Sequence, residues 1–147
     1  MSYATKQDLI DRFGERELVQ LTDRTNVPVT TIDDTVVARH LADADGTVDG
    51  YVGKVYSLPL PAVPDMLRKI AADLARYYLH GKAAETDGAV HRAYRDAIAW
   101  LKDVSKGLVK LDLGGDDAGS EVPQAGGGAV HAKAPDRVFT RDSMRDY

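Results

Sequence analysis

The segment "PDMLRKIAADLARYYLHG" (residues 64–81) carries the clearest structural signal in the chain. Its apolar residues recur at every third or fourth position, which is the spacing of one face of an α-helix. Pro64 or Asp65 opens the helix, and Gly81 ends it. The residues on the apolar face are Leu67, Ile70, Ala71, Leu74 and Tyr78. A helix with one such face must bury it against other elements, so this segment predicts a packed helical core.

A second amphipathic helix follows over residues 88–106, with Gly107 as its stop. Because only residues 81–88 separate the two helices, we expect them to form an antiparallel pair. The apolar face of the second helix is formed by Val90, Tyr94, Ala97, Leu101 and Val104.

The N-terminal half predicts three further helices. Thr5 caps a short one that Gly14 ends, and residues 15–21 form another. The spacing of Thr31 and Asp34 is that of a capping box at the start of a long helix. Its apolar face carries Val37, Leu41, Ala44, Val48, Val52 and Val55. The segment "SLPLPAVP" (57–64) cannot continue this helix, because each of its three prolines lacks a backbone donor.

These patterns predict an all-α fold, a small helical bundle in which the long acidic helix packs across the antiparallel pair. The predicted core consists of Leu41, Val48, Val52, Leu67, Ile70, Leu74, Ala97 and Leu101. The segment "LVKLDL" (108–113) alternates apolar and polar residues, which suits either a short strand or an extended arm. We therefore expect little strand.

The composition bounds the class of protein. A chain of 147 residues is long enough for a single core, here over residues 1–113. The net charge of −4 and the lack of a basic stripe argue against tight binding of duplex DNA. The absence of cysteine excludes disulfides, thiolate metal sites and thiol nucleophiles. No signal peptide and no membrane span are visible, so we expect a soluble protein inside the cell.

The sequence does not predict a metal site, a cofactor or an enzyme. The four histidines never occur at the i, i+4 spacing of a helical metal site. A calcium loop starting at Asp23 would place Pro28 where that loop needs glycine. The glycines at 126–128 follow no strand and open no helix, so they do not form a phosphate-binding loop. No serine lies in a nucleophile-elbow pattern.

The C-terminal part has a different composition. Residues 114–136 are rich in glycine, alanine and acids, which predicts a flexible linker. Residues 137–147, "RVFTRDSMRDY", return to apolar side chains and arginines, and we interpret them as a partner-binding arm. The predicted contact residues of this arm are Arg137, Val138, Phe139, Arg141, Met144, Arg145 and Tyr147. Phe139 and Met144 have the spacing of a hydrophobic staple around Thr140, so the arm binds either as one helical turn or as an added strand.

Two further surfaces are predicted in the body. Asp43, Asp45 and Asp49 give the long helix an acidic side, which is either a solvated face or a wall that repels a polyanion. Leu58, Leu60 and Val63 lie in the proline-rich segment, which is either a rigid link between helices or an inter-subunit contact.

The ordered part resembles a protein family of Mu-like tailed phages and prophages that is associated with the head–tail connector. The resemblance rests on residues 1–24, 48–81 and 94–111, and "DGYVGKVYSLPLPAVP" is its most specific block. The family often has a glycine- and acid-rich loop where this chain reads "DRTNVPVTTIDD" (23–34), so a metal site is not carried over from relatives.

The resemblance implies a helical adaptor of the phage neck. Such an adaptor assembles as a ring, expected to be dodecameric, beneath the portal protein, and it joins the head to the tail. Its expected partners are the portal, an adjacent neck or head-closure protein and further copies of itself. Genomic DNA would pass through the ring without specific binding, and the protein would assemble in the host cytoplasm and reside in the virion neck.

The same residues also fit a different class of function. The chain would be a monomeric binding module or assembly chaperone whose C-terminal tail folds on a transient partner. The mass of the assembly and the presence of the protein in virions distinguish the two.

Overall fold

The computed structural model describes residues 2–113. This part of the chain contains α1 (Lys6–Phe13), α2 (Glu15–Thr22), α3 (Asp34–Val52), α4 (Asp65–His80) and α5 (Ala89–Ser105). A one-turn 3-10 helix, Gly81–Ala83, lies between α4 and α5. The residues described include no β-strand, so the predicted all-α bundle is confirmed.

The core forms where α3, α4 and α5 pack against one another. All eight residues predicted for the core are buried: Leu41, Val48, Val52, Leu67, Ile70, Leu74, Ala97 and Leu101. Tyr77 of α4 and Tyr94 of α5 stack with their ring centroids 4.0 Å apart, which ties the ends of these two helices together. The apolar periodicity therefore identified the packed faces, except that α3 ends at Val52, so Val55, predicted on its apolar face, lies in the turn that follows.

The first short helix, α1, is capped as the sequence predicts. The side chain of Thr5 accepts the backbone N–H of Asp8, and the carboxylate of Asp8 accepts the backbone N–H of Thr5. Gly14 ends α1 and precedes α2 with φ of 88°, a value that glycine adopts without steric cost. The chain therefore turns sharply between α1 and α2.

The start of α3 differs from the prediction. The N-cap is Asp33, whose carboxylate accepts the backbone N–H groups of Thr35 and Val36, at 2.9 and 3.2 Å. Thr31, the predicted cap, belongs to the preceding loop: its N–H donates to Asp23, and its hydroxyl accepts from Asn26. Thr31 is hydrogen-bonded within the loop, and Asp33 serves as the N-cap instead, because aspartate caps a helix as well as threonine does.

The segment after α5, residues 108–113, is extended, and no strand is assigned within it. The backbone N–H of Leu111 donates to the hydroxyl of Tyr56 at 2.9 Å, and Leu113 is only 4% exposed. The hydrogen bond to Tyr56 and the burial of Leu113 hold this segment against the bundle, and of the two predicted forms the described residues show the extended one. No helix within residues 2–113 combines the length and apolar character needed to cross a membrane.

Candidate partner-binding groove

A concave surface lies between α4 and α5. Its floor is formed by Ile70 of α4 and Ala97 of α5, which are almost fully buried. Alanines at 89, 93 and 97 leave α5 with little side-chain bulk on this side, so a groove of about 500 Å³ opens between the helices. Met66 and Trp100 stand at one end of it.

A second depression of about 560 Å³ begins at the same two residues. It continues along the end of the proline-rich segment, residues 62–65, and along the extended segment, residues 110–113. Met66 and Trp100 line both depressions, so the two adjoin at these residues, and we call them together the Met66–Trp100 groove. It brings together residues from four parts of the sequence.

The chemistry of the Met66–Trp100 groove suits a protein ligand. Met66 is 45% exposed, and its unbranched thioether adapts to differently shaped apolar partners. Trp100 presents a partly exposed indole, the kind of side chain that most often anchors protein interfaces. An apolar floor with one aromatic and one methionine anchor fits apolar side chains of a peptide segment.

Charged side chains form the rim of the groove. On α4, Lys69 and Asp73 pair at 2.9 Å. On the facing wall Arg92 and Asp96 are exposed, and neither forms an ion pair with another residue of the described part of the chain. The rim therefore offers one cation and one carboxylate to the charges of a ligand.

Sequence reasoning did not identify this groove. Met66 and Trp100 each lie one position away from a predicted core residue, Leu67 and Leu101, and apolar periodicity does not separate them from the packed face. The available signal was that both helices place a large apolar side chain just outside the buried stripe, at the ends that an antiparallel pair brings together.

Two of the three acidic residues predicted on α3 hold the N-terminal segment. Asp45 accepts the backbone N–H of Tyr3 at 2.9 Å, and Asp49 accepts the hydroxyl of Tyr3. Partial burial raises the pKa of Asp45, although the hydrogen bond from Tyr3 opposes this effect. Burial and the contact with Asp49 likewise raise the pKa of Tyr3. Asp43 remains exposed, 3.5 Å from Nδ1 of His40.

The predicted contact residues of the proline-rich segment lie in different environments. Leu60 is 4% exposed and belongs to the core, because the segment folds back onto the bundle there. Leu58 is 39% exposed, and Val63 is partly buried and lines the Met66–Trp100 groove. Leu58 and Val63 therefore keep part of their surface exposed, whereas Leu60 packs within its own chain.

The predicted arm lies outside the described residues. This applies to Arg137, Val138, Phe139, Arg141, Met144, Arg145 and Tyr147, and also to the predicted linker over residues 114–136.

Asp23, considered above as the start of a calcium loop, organises the loop after α2. Its carboxylate accepts the backbone N–H groups of Thr25, Asn26, Thr30 and Thr31 and the side-chain amide of Asn26. These donors, with that of Thr30 foremost, hold the pKa of Asp23 well below its usual range. Among residues 2–113 no group of three or more histidines and carboxylates is placed to hold a metal ion.

Comparison with known proteins gives the chain a family. Residues 3–132 match the family described as Bacteriophage Mu, Gp36. The chain belongs to this family. Its relatives include the Mu-like prophage FluMu protein gp36 of Haemophilus influenzae, which is 34% identical over 99% of this chain and 97% of the relative. Gene product J of Escherichia phage Mu is 33% identical over 96% of both chains.

These matches extend the resemblance seen in the sequence. That resemblance was placed on residues 1–113, whereas the family match continues to residue 132 and the alignment with the Haemophilus protein covers 99% of the chain. The alignment therefore includes most of the C-terminal part, so relatives have a counterpart of this segment.

Proposed function

We propose that the protein is a structural head–tail connector of a tailed phage, assembled as a ring beneath the portal protein. The observation that carries this proposal is the match along almost the whole chain with a protein of phage Mu and one of a Mu-like prophage. That match makes the chain a phage protein, and the resemblance described above connects the family with the neck.

The surface of the body is suited to ring assembly. A cyclic ring joins subunits head to tail, so each subunit needs two different and complementary patches. We assign the two contacts to Leu58, which is 39% exposed in the proline-rich segment, and to the Met66–Trp100 groove. A ring of twelve chains of 16.0 kDa would have a mass of about 190 kDa.

The acidic side of α3 would face the DNA channel of this ring. Exiting DNA must slide, and basic walls would retain it by binding its phosphates. Asp43 is the exposed carboxylate of the predicted set, while Asp45 and Asp49 add negative charge beneath the Tyr3 contacts. The proposed role of this face is repulsion, without specific binding of DNA.

The C-terminal arm would join the ring to its neighbours. We assign it to the portal first and to the adjacent neck protein second, with apolar side chains as anchors and arginines at the rim. In this role the protein needs neither a cofactor nor catalysis, and it would assemble in the host cytoplasm and remain in the virion neck.

The test is the composition and structure of purified phage particles. We expect the protein in particles at a fixed copy number, and electron cryomicroscopy should show a ring of helical subunits between portal and tail. Presence in infected cells but absence from purified particles would contradict the connector and support the assembly chaperone instead.

A further inference from the structure

We propose that in the unassembled protein the Met66–Trp100 groove is occupied by the chain's own C-terminal arm, residues 137–147. This inference concerns the free chain and does not rest on its place in the phage neck. It starts from the position at which the described part of the chain ends.

The C-terminal segment leaves the fold at the groove itself. Leu113 is 4% exposed and lines the trough together with Leu111 and Trp100. The 34 residues from 114 to 147 therefore begin beside the surface that they are proposed to cover. Everything that follows Leu113 is tethered next to the trough.

The length of the tether suits a return to the groove. The glycine- and alanine-rich composition of residues 114–136 predicts a mean end-to-end distance of about 25 Å. The wall of α5 from Ala89 to Trp100 is about 17 Å long, at 1.5 Å per residue. The arm can therefore reach any part of the trough without stretching the segment that connects it.

The chemistry of the arm matches that of the trough. Phe139, Met144 and Tyr147 provide apolar side chains for the floor between α4 and α5. One helical turn over residues 141–146 measures about 9 Å and fits within the length of the wall. At the rim, Asp96 faces solvent without an ion pair to any other residue in the range 2–113, so an arginine of the arm can pair with it.

The same tether favours the arm of the same chain over that of a second copy. A short flexible connection gives the attached segment an effective concentration on the order of millimolar. A second copy in solution at micromolar concentration competes poorly with it. The groove is therefore closed within one chain until a partner displaces the arm.

Trp100 makes this arrangement measurable in the full-length protein. It is the only tryptophan of the chain, so fluorescence excited selectively at the indole reports on the groove. The test compares acrylamide quenching of Trp100 in the wild type and in a variant with Phe139→Ala and Met144→Ala. Equal melting temperatures of the two proteins verify that the body is intact.

We expect the quenching constant to rise by about twofold in the double variant, as a largely docked population becomes largely undocked. Ser143→Ala, a change in the arm that removes no apolar anchor, should leave quenching at the wild-type value.

Met66→Glu, at a half-exposed position of the groove, should speed tryptic cleavage after Arg137, Arg141 and Arg145, whereas Val27→Ser, at a fully exposed position elsewhere, should not.

Two results would overturn the proposal. Equal quenching constants in the wild type and the double variant would mean that the arm does not cover Trp100. Quenching of the wild type that falls as the protein is concentrated from about 1 to about 100 µM, well below the effective concentration of a tethered arm, would assign the groove to a second copy of the chain.

Discussion

Glu17 shows how single side chains position the short helices. Its carboxylate accepts two hydrogen bonds from the guanidinium of Arg76, at 2.7 and 2.9 Å, and lies 3.0 Å from Nε2 of His80. The same guanidinium lies over the ring of Phe13, 4.4 Å from its centroid. One carboxylate and one arginine thus hold α1 and α2 against α4.

Replacing this carboxylate should loosen α2. We expect Glu17→Gln to lower the free energy of unfolding by about 1–3 kcal/mol, because Arg76 loses a charged, two-point acceptor in a half-buried position. Urea denaturation measures the change. Glu15→Gln, an exposed acid in the first turn of the same helix, is the matched control and should cost less than about 1 kcal/mol. Equal losses in the two variants would show that the contact with Arg76 contributes nothing.

The same residue gives a pH dependence with a defined sign. Partial burial alone would raise the pKa of Glu17, but the hydrogen bonds from Arg76 and His80 outweigh it and lower the pKa. The stabilisation is therefore complete above the pKa of an unfolded glutamate, about 4.3, and is lost as the pH falls through the lower folded value. We therefore expect the melting temperature of Glu17→Gln to fall less than that of the wild type when the pH is lowered from 7 to 3.

At the scale of the helices, apolar spacing located the packed faces well. Leu74 is fully buried in α4, and its truncation to alanine should cost about 2–5 kcal/mol through lost contacts and a residual cavity. Leu108→Ala, at a position that is 73% exposed, should change stability little. An unchanged melting temperature of Leu74→Ala would contradict the assigned core.

The proline-rich segment should separate stability from assembly. Leu60→Ala removes a buried side chain and should lower the melting temperature of the body, whereas Leu58→Ser, at a 39% exposed position, should leave it unchanged. If Leu58 contacts a neighbouring subunit, Leu58→Ser should weaken ring assembly while the melting temperature of the body stays normal. Leu60→Ala should not show this combination. Normal assembly of Leu58→Ser would show that the segment is only a rigid link.

What the sequence did not reveal depends on contacts between distant segments. Apolar periodicity predicts which face of α4 is buried, because the spacing of residues along the sequence sets their positions around the helix. It does not predict that Thr31 serves the Asp23 loop while Asp33 caps α3, since two adequate caps compete there. It also misses the Met66–Trp100 groove, which exists only once residues 62–66, α5 and residues 110–113 come together.

At the scale of the whole molecule, the arm and the body should be separable. Deleting residues 137–147 should leave the helical body folded and soluble but prevent efficient joining of heads to tails. Circular dichroism and electron microscopy of particles from cells measure the two effects. Deleting residues 118–128 removes the same number of residues and keeps the arm, so this control should still join heads to tails. Normal, infectious particles without residues 137–147 would remove any essential role of the arm.

The charge of the molecule gives a further prediction. With a net charge of −4 and an acidic α3, the isolated protein should show no measurable affinity for duplex DNA at physiological salt. Fluorescence anisotropy with a labelled duplex measures this. Tight binding that weakens steeply as salt is added would contradict a repulsive channel wall.

The attachment of Leu113 also has a mechanical consequence. A pull on the C-terminal segment reaches the fold at this buried side chain and then at the hydrogen bond between Leu111 and Tyr56. Because no strand is assigned within residues 108–113, we expect this segment to detach under force before the helices unfold. A pull on the C-terminal segment would then detach residues 108–113 first and leave the core of α3, α4 and α5 folded.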